Sequence, residues 1–397
     1  MTMKACIMCG GTGTRLRPLT FRRPKPLIPI LNKPSLVHLI GQLAKEGFNE
    51  IVMTLGYMGD DIEKEIGDGS VYGVHIDYVY EKEKLGTAGS VRNAKDLLGD
   101  EPFLVVGGDH VTTLNFRDML RFHQKENALV TIGLISIDDP REFGIADLDI
   151  SGRITRFREK PRPGEIFSNL ASTGIYVCSP EIFDLIPEGT KYDFAKDLFP
   201  KIMENGRLSG SGRLFGMLVR GRWSDVGSSA AYRSAQKWMM DDLPGTSING
   251  SFTSRGAGIQ GPLQIGASVS VGEGSSIVGP IVIGKNTTIG KRVLIGPYSV
   301  IGADCVIGDD AKILASYIFD GAEIGSGTTL SGSIVDSDSV IGCGCSLENG
   351  TIVGPNTVVK DNTTIHSGVR LWPEVVVEGD VEDDRVNEKY GTDTGGS

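Results

Sequence analysis

Two hydrophobic patterns divide this chain of 397 residues. Over residues 1–240, short apolar runs alternate with segments whose apolar residues recur at helical spacing. Strands are predicted at 4–9, 50–55, 74–79 and 102–106, and helices at 35–46, 59–66, 88–98 and 116–126. This alternation predicts an α/β domain with a Rossmann-like, mostly parallel sheet and helices on both faces.

The second pattern is a strict period of six. An aliphatic residue stands at every sixth position from Ile265 to Ile313, from Ile318 to Leu330 and from Val335 to Leu371. This period is typical of a hexapeptide β-helix, and similar repeats form a left-handed parallel coil with three hexads per turn. Residues 259–373 would make about six turns. The two one-residue slips predict bulges or corner adjustments near residues 314–317 and 331–334.

These patterns predict the domain organisation. We expect an α/β domain at 1–240 and a linker rich in Gly and Pro at 241–258. A left-handed β-helix should follow at 259–375. Residues 378–397 are acidic and polar, and we expect a flexible tail there.

Composition narrows the function class. A net charge of −10 argues against a general nucleic-acid binder. There is neither a signal peptide nor a run of about 18 apolar residues, so we expect no membrane association and a cytoplasmic location. Cys6 and Cys9 are three apart in a predicted strand and should face opposite sides, which argues against a metal or redox pair. Reduced thiols are expected.

A glycine-rich stretch follows the first predicted strand and precedes a cluster of cations. Glycines let backbone amides approach an anion, and cations add charge-assisted hydrogen bonds, so the stretch predicts a phosphate-bearing ligand. Neither the dinucleotide fingerprint nor the P-loop pattern fits, because Leu16 occupies the third glycine position and no Gly-Lys-Ser/Thr run exists. The residues concerned are Gly10, Gly11, Gly13, Arg15, Arg17, Arg22, Arg23 and Lys25.

The run from Gly10 to Thr20, followed by Pro-Lys-Pro-Leu-Ile-Pro at 24–29, resembles the signature of sugar-1-phosphate nucleotidyltransferases, the nucleotide-sugar pyrophosphorylases. The resemblance continues at 85–89, 107–109, 159–161, 169–176 and 223–227. It implies that a sugar 1-phosphate attacks the α-phosphate of a nucleoside triphosphate and releases pyrophosphate. Because the nucleophile is already an anion, the protein must mainly align and neutralise phosphates.

The resemblance also assigns roles. Arg15 and Lys25 match the cations at the reacting phosphates, and Asp109 and Asp225 match the aspartates that hold Mg²⁺, an ion suited to carboxylate oxygens. His110 is interpreted as a neutral neighbour. The nucleotide-binding positions are Gly10, Gly11, Gly13, Thr14, Glu81, Gly86 and Thr87. The sugar-phosphate positions are Gly144, Glu159, Lys160, Asn169 and Thr173.

Glu81 occupies the position that reads the base in the family. A carboxylate only accepts hydrogen bonds, so it suits the N1–H and N2–H₂ donors of guanine and opposes the carbonyls of uracil or thymine. This favours GTP, and residues 85–89 resemble guanylyltransferases acting on mannose 1-phosphate. Residues 168–176 instead resemble the thymidylyl branch, and Glu83 is an alternative base reader.

Three alternatives stay open. The first is a glucose-1-phosphate thymidylyl- or uridylyltransferase. The second is a non-catalytic subunit, which is disfavoured by the presence of all five matching residues, Arg15, Lys25, Asp109, Lys160 and Asp225. The third is a bifunctional enzyme whose β-helix transfers acyl groups through His366. We favour an oligomerisation or regulatory role for the β-helix, and hence a homo-oligomer.

Overall fold

The computed structural model describes residues 3–209, 212–254 and 256–391. The chain divides into two compact units. The first contains the residues up to Thr12 together with Pro24–Leu27 and Ser35–Val226. The second contains Gly13–Arg23, Ile28–Pro34 and the chain from Gly227 onward. The glycine-rich stretch therefore belongs to both units, with Gly10 and Gly11 in the first and Gly13 in the second.

A nine-stranded sheet forms the centre of the first unit. Its strands in chain order are β1 Lys4–Cys9, β2 Glu50–Leu55, β3 His75–Tyr80, β4 Phe103–Gly107, β5 Val130–Ser136, β6 Gly144–Leu148, β7 Ile154–Glu159, β8 Leu170–Cys178 and β9 Leu214–Leu218. The spatial order is β7-β6-β8-β4-β1-β2-β3, and β5 pairs with β8 and β9. Two further short strands, Val111–Thr112 and Trp223–Ser224, pair with each other.

The predicted parallel sheet is confirmed around β1, which pairs in parallel with β2 and β4. Beyond β4 the sheet is mixed, because β8 runs antiparallel to both β4 and β5. The connection from β6 to β7 is only a few residues long, and so short a connection permits only an antiparallel pair.

Helices cover the sheet. The α-helices of this unit are Ser35–Lys45, Gly59–Ile66, Gly86–Asn93, Lys95–Leu98, Phe116–Lys125 and Phe199–Ser209, the last preceded by a π-helical turn at Phe194–Leu198. Short 3₁₀ turns lie at Lys25–Leu27, Ser70–Tyr72, Pro163–Glu165 and Pro180–Asp184. Within the described ranges, every helix falls short of the length and apolarity that crossing a bilayer requires.

Two hydrophobic cores lie on the two faces of the sheet. Cys6 belongs to one core and Cys9 to the other, which confirms that the two thiols face opposite sides. Burial raises the pKa of Cys6 to about 12 and also raises that of Cys9. Both are therefore inert core residues rather than a redox or metal pair.

The second unit is built around three parallel sheets of eight strands each, the architecture expected of a left-handed β-helix. The first sheet contains Ser247–Ile248, Leu263–Ile265, Ile281–Ile283, Ser299–Ile301, Tyr317–Ile318, Ile334–Val335, Ile352–Val353 and Arg370–Leu371. The second contains Phe252–Ser254, Val269–Val271, Thr288–Ile289, Val306–Ile307, Glu323–Ile324, Val340–Ile341, Val358–Val359 and Val376–Val377. The third contains Gly258–Gln260, Ser276–Val278, Leu294–Ile295, Lys312–Leu314, Thr329–Ser331, Ser346–Leu347, Thr364–Ile365 and Asp380–Val381.

The inward aliphatic residues of these strands stack into one buried core. The helix Ser229–Asp241, the 3₁₀ turns Thr14–Leu16 and Glu388–Tyr390 and the short hairpin of Pro29–Ile30 with Lys33–Pro34 belong to the same unit. The ring of Tyr232 on that helix meets the ring of Tyr317 on the first sheet at a centroid distance of 5.8 Å. One outer face of the β-helix is thus covered by apolar contacts.

The predicted slips are confirmed. Ile283 pairs with Ile301 one turn later, a spacing of 18 residues, whereas Ile301 pairs with Ile318 and Ile318 with Val335 at 17. Both slips fall at the corner where the third sheet passes to the first. Ala315 and Gly332 occupy these corners in the left-handed region, with φ of 46° and 58°.

The β-helix is longer than the six-residue period indicates. Strands at Ser247–Ile248 and Phe252–Ser254 lie within the predicted linker and form ladders with the following turn. The period fades there because the residue that pairs with the inward Val271 is Ser254, which is polar and lies five rather than six residues before Ile259. At the other end, Asp380–Val381 pairs with Thr364–Ile365, inside the predicted tail. The flexibility of that tail stays a prediction, and 392–397 lie outside the described residues.

The β-helix core predicts a sharp difference between neighbouring positions. Ile307 points inward and is 1% exposed, whereas the adjacent Val306 points outward and is 48% exposed. We expect Ile307→Ala to lower the free energy of unfolding by about 2–5 kcal/mol, because it leaves a cavity between turns.

The matched control, Val306→Ala, should change stability by less than about 0.5 kcal/mol, as surface substitutions usually do. Urea denaturation of the full chain measures both changes. Equal destabilisation by the two variants would contradict the assigned inward and outward faces.

Candidate active site

A cavity lies where the carboxyl ends of β1 and β4 meet. The two strands are adjacent and parallel, with Met8 paired to Gly107, so Gly10 and Asp109 follow them at the same edge of the sheet. Ligands of open α/β sheets bind at such an edge. The cavity has a volume of about 480 Å³. Its lining residues are Met8, Cys9, Gly10, Gly11, Lys25, Pro26, Glu81, Lys84, Gly86, Thr87, Ser90, Gly107, Asp109, His110, Gly174, Tyr176, Lys191 and Asp193.

Lys25 joins the two aspartates identified from the sequence. Its Nζ donates to Oδ2 of Asp109 and, at 3.1 Å, to the backbone carbonyl of Asp225. Asp225 is brought here by the ladder between Trp223–Ser224 and Val111–Thr112, in which Ser224 pairs with Val111. Burial acts to raise the pKa of Asp109, but Lys25 and His110 outweigh it and the pKa is lowered. Asp109 is therefore a carboxylate at neutral pH.

His110 lies beside this group and is 6% exposed. Its Nε2 is 3.8 Å from Oδ1 of Asp109, and its ring meets the edge of Trp223 at a centroid distance of 5.8 Å. Burial lowers the pKa of His110, so the ring is neutral at pH 7. Nδ1 is buried and has no hydrogen-bond partner within the described ranges.

The donor set fits a divalent cation that is also bound by phosphate. Mg²⁺ typically takes one or two carboxylates from the protein and completes its shell with phosphate oxygens and water. Lys25 contacts the carboxylate of Asp109 and the backbone carbonyl of Asp225, so the two aspartates flank one ammonium. In the described part of the chain, no group of three or more His, Cys, Asp or Glu side chains could hold a metal by itself.

Glu81 lies on the wall of the same cavity, whereas the alternative base reader Glu83 is exposed and does not line it. The Glu81 Oε2 accepts a long hydrogen bond of 3.4 Å from the amide of Leu85. A Cβ added to Gly10 would lie 3.8 Å from Oε1 of Glu81. The carboxylate is therefore next to the glycine-rich turn after β1.

The loop after Glu81 is fixed by a second segment. Gly86 has φ of 71°, and a Cβ there would lie 2.7 Å from the carbonyl oxygen of Tyr192, so only glycine fits. The Thr87 hydroxyl donates to Oδ2 of Asp193 at 2.8 Å and accepts from the amide of Phe194 at 3.0 Å. Thr87 thus ties the predicted nucleotide loop to residues 192–194.

The predicted sugar-phosphate residues do not line the cavity. Gly144 and Glu159 are paired across β6 and β7, and a Cβ on Gly144 would lie 2.8 Å from Oε2 of Glu159. Burial raises the pKa of Glu159. Lys160 is exposed, adopts φ of 43°, and places Nζ 3.8 Å from Oε2 of Glu142.

Asn169 and Thr173 make contacts on β8 and its approach. The amide of Asn169 donates to the hydroxyl of Ser136 at 2.9 Å. Thr173 is 1% exposed, and its hydroxyl donates to the carbonyl of Gly133 at 2.9 Å. The Thr173 side chain therefore bonds to the neighbouring strand.

Sequence reasoning missed several lining residues. Tyr176 stood at the end of a quoted segment and gave a partial signal. Lys84 lies between Glu83 and the segment 85–89, and no role was predicted for it from the sequence. Lys191 and Asp193 carried no signal, because only the pairing of 190–193 with 85–89 brings them to the cavity, as in the bond from Tyr192 N to Leu85 O of 2.8 Å.

Gly13, Thr14 and Arg15 belong to the second unit. Gly13 has φ of 66° and precedes the turn Thr14–Leu16, on which Arg15 is exposed. Of the cations in this stretch, Arg22 and Arg23 have carboxylate partners within the second unit. Arg22 pairs with Glu374, and Arg23 pairs with Asp336. The order of charges along a sequence does not show which partner the fold supplies.

Comparison with known proteins agrees with both units. The "Nucleotidyl transferase" family model matches residues 4–241, and the "GMPPB C-terminal domain" model matches residues 277–386. The "Mannose-1-phosphate guanyltransferase beta-B" of Xenopus laevis is 35% identical over 97% of this chain and 99% of its own length.

Two other similar proteins carry different nucleotide names. The "UTP--glucose-1-phosphate uridylyltransferase" of a Synechocystis strain is 32% identical over 71% of this chain and 78% of its own. A crystal structure of a "Putative Glucose-1-Phosphate Thymidylyltransferase" from Bacillus anthracis has a TM-score of 0.54 and 26% identity, covering 62% of this chain and 98% of its own. With the site geometry, these matches show that the chain belongs to the nucleotidyl transferase family and is a sugar-1-phosphate nucleotidyltransferase.

Proposed function

We propose that this enzyme transfers the guanylyl group of GTP to mannose 1-phosphate with Mg²⁺, forming GDP-mannose and pyrophosphate. The observation that carries the proposal is the position of Glu81. Its carboxylate lines the same cavity as Lys25 and Asp109, so a base reader and a phosphate-binding cation face one space.

Glu81 supports guanine by its hydrogen-bonding chemistry. A carboxylate accepts and does not donate, and guanine presents N1–H and N2–H₂ side by side. Uracil and thymine present carbonyl oxygens that a carboxylate repels. Glu83 is exposed outside the cavity, so Glu81 is the better candidate of the two.

The phosphate side follows from charge. The attacking sugar phosphate and the triphosphate are both anions, so the reaction needs positive charge at the α-phosphate more than a general base. Lys25 supplies one cation at the cavity wall, and Arg15 is the second by its position in the family signature. When bound, Mg²⁺ would be held by Asp109 and Asp225 and would neutralise charge on the phosphates.

The sugar side rests more on similarity than on geometry. Lys160 is proposed to hold the sugar phosphate and Glu159 the sugar hydroxyls, with Gly144, Asn169 and Thr173 around them. Mannose and glucose differ here in the orientation of one hydroxyl. Mannose is favoured because the Xenopus relative named for mannose matches 97% of the chain, whereas the Synechocystis relative named for glucose matches 71%.

The β-helix is proposed as an oligomerisation or regulatory module. Nδ1 of His366 lies 3.4 Å from Oε1 of Glu348, with both side chains 39% exposed. This surface contact does not favour acyl transfer over the simpler role. A homo-oligomer and a cytoplasmic location stay predictions.

Base selectivity is the first test. Wild-type enzyme should prefer GTP over UTP and dTTP, and Glu81→Gln should lower kcat/KM for GTP at least about tenfold, because it replaces an acceptor facing a guanine donor. A matrix of three triphosphates against mannose and glucose 1-phosphate measures both effects.

Glu83→Gln is the matched control, two residues away in the same loop, and should keep kcat/KM for GTP within about twofold. Preference of the wild type for pyrimidine triphosphates would refute the guanine assignment. A loss confined to Glu83→Gln would transfer the role to that residue.

Metal dependence is the second test. We expect chelation to abolish pyrophosphate release and Asp109→Asn to raise the Mg²⁺ concentration for half-maximal activity at least about tenfold, because one of two anionic ligands is lost. Asp118→Asn, on an exposed surface pair with Arg121, is the control and should titrate like wild type. An unchanged Mg²⁺ titration for Asp109→Asn would count against the metal role.

A further inference from the structure

One corner of the β-helix has a large or charged residue at three turns where its repeat favours glycine. The residue directly after each strand of the first sheet is glycine in four turns: Gly266, Gly284, Gly302 and Gly354. The next turn of backbone requires this, since a Cβ on Gly354 would lie 2.8 Å from the carbonyl oxygen of Leu371. At the equivalent position the other four turns have Asn249, Phe319, Asp336 and Trp372, of which Asn249 belongs to the first turn and the other three are large or charged. Large or charged residues at a glycine position call for a separate explanation.

Asp336 and Phe319 both bind Arg23. The Asp336 side chain is fully buried, and its Oδ1 lies 2.8 Å from Nη1 of Arg23. Nη2 of Arg23 donates to the hydroxyl of Ser337 at 3.1 Å. The guanidinium lies 5.2 Å from the ring centroid of Phe319, within cation–π range. A buried carboxylate without its cation is strongly unfavourable, so Arg23 is held tightly at this corner.

Trp372 contacts Phe21, which lies two residues before Arg23. The ring of Phe21 lies 4.6 Å from that of Trp372 and 5.2 Å from that of Tyr390. Arg22, between the two anchored residues, donates from Nε to the Tyr390 hydroxyl at 2.9 Å and pairs with the carboxylate of Glu374. The three corners with a large or charged residue, Phe319, Asp336 and Trp372, therefore all contact residues 21–23.

Residues 21–23 are rigidly connected to Arg15. Successive turns run through the segment, with Leu19 N bonded to Leu16 O at 3.0 Å and Phe21 N to Pro18 O at 3.2 Å. The Thr20 hydroxyl closes the segment by donating to the carbonyl of Gly13 at 2.9 Å. Leu16 and Leu19 are buried. A shift at residue 23 would therefore move the turn that bears Arg15.

We propose that Asp336 is a positioning residue of the transfer reaction, which acts through Arg23 to set the place of Arg15. The proposal rests on the role of Arg15 in the proposed function. It links the β-helix to the turn that bears Arg15, since the corner that binds residues 21–23 is built from its repeat.

The first experiment compares two ion pairs of the same β-helix in the full-length enzyme. Asp336→Asn removes the buried charge, and Asp310→Asn removes the exposed partner of Arg292, whose Nη2 lies 2.7 Å from Oδ2. We expect Asp336→Asn to lower kcat/KM for the preferred triphosphate at least about tenfold, because small displacements of a catalytic group are costly. KM for the sugar 1-phosphate should stay within about twofold, and Asp310→Asn should match wild type.

The second experiment asks whether the effect passes through Arg15. In an Arg15→Lys background, Asp336→Asn should change kcat/KM less than about twofold, because residues that act as a unit are non-additive. If turnover of Arg15→Lys is below detection, the same cycle is read on the dissociation constant for the triphosphate. Phe21→Leu provides a second route to the same displacement should Asp336→Asn fail to fold.

Two results would overturn the proposal. One is a lower melting temperature for Asp336→Asn with unchanged kinetic constants, which would make the corner merely structural. The other is a full, additive loss in the Arg15→Lys background. Neither depends on which triphosphate is preferred, so failure here is distinct from a pyrimidine preference, which would refute only the proposed base.

Discussion

The candidate site depends on one contact, between the ammonium of Lys25 and the carboxylate of Asp109. Two aspartates meet at the ends of neighbouring elements, and burial would favour protonation of Asp109 without a cation. Lys25 keeps that carboxylate ionised and also binds the backbone of Asp225. Two carboxylates and one ammonium leave a net negative charge here before any ligand arrives. An anionic substrate then calls for further positive charge, which is why two carboxylates and one lysine suggest a dication bound together with phosphate.

The second unit obeys a different constraint, the stacking of identical turns. Each inward aliphatic lies on its equivalent one turn away, so a change in turn length must be absorbed where no inward residue is displaced. The two shorter turns in the middle of the β-helix lose their residue at the same corner, between the third and first sheets, at Ala315 and Gly332. The inward column from Ile301 through Ile318 to Val335 therefore stays continuous.

The sequence pattern predicted those elements that depend mainly on residues close together in the chain. The apolar run at Lys4–Cys9 followed by glycines gave β1 and its turn, and the six-residue period gave the β-helix and both slips. The proximity of Asp225 to Asp109 was different, because it rests on a two-residue ladder between segments far apart in sequence. The contact of Thr173 could not be predicted either, because the local sequence does not show whether a strand hydroxyl binds a ligand or a carbonyl of the neighbouring strand. Arg22 and Arg23 belong to a run of cations that predicted a phosphate ligand, but the sequence does not show that their partners are carboxylates of the protein.

A strict repeat makes its exceptions informative. Where the next turn of backbone leaves space only for hydrogen, glycine is a structural necessity, and a residue such as Phe319 or Trp372 must gain contacts that offset the lost fit. Asp336 adds the cost of burying a carboxylate, which raises its pKa, and the buried ion pair with Arg23 opposes that cost. Stability alone would be served as well by glycine, as at Gly302 and Gly354. The exceptions are better explained by the segment they hold, since residues 21–23 are continuous with the turn that bears Arg15.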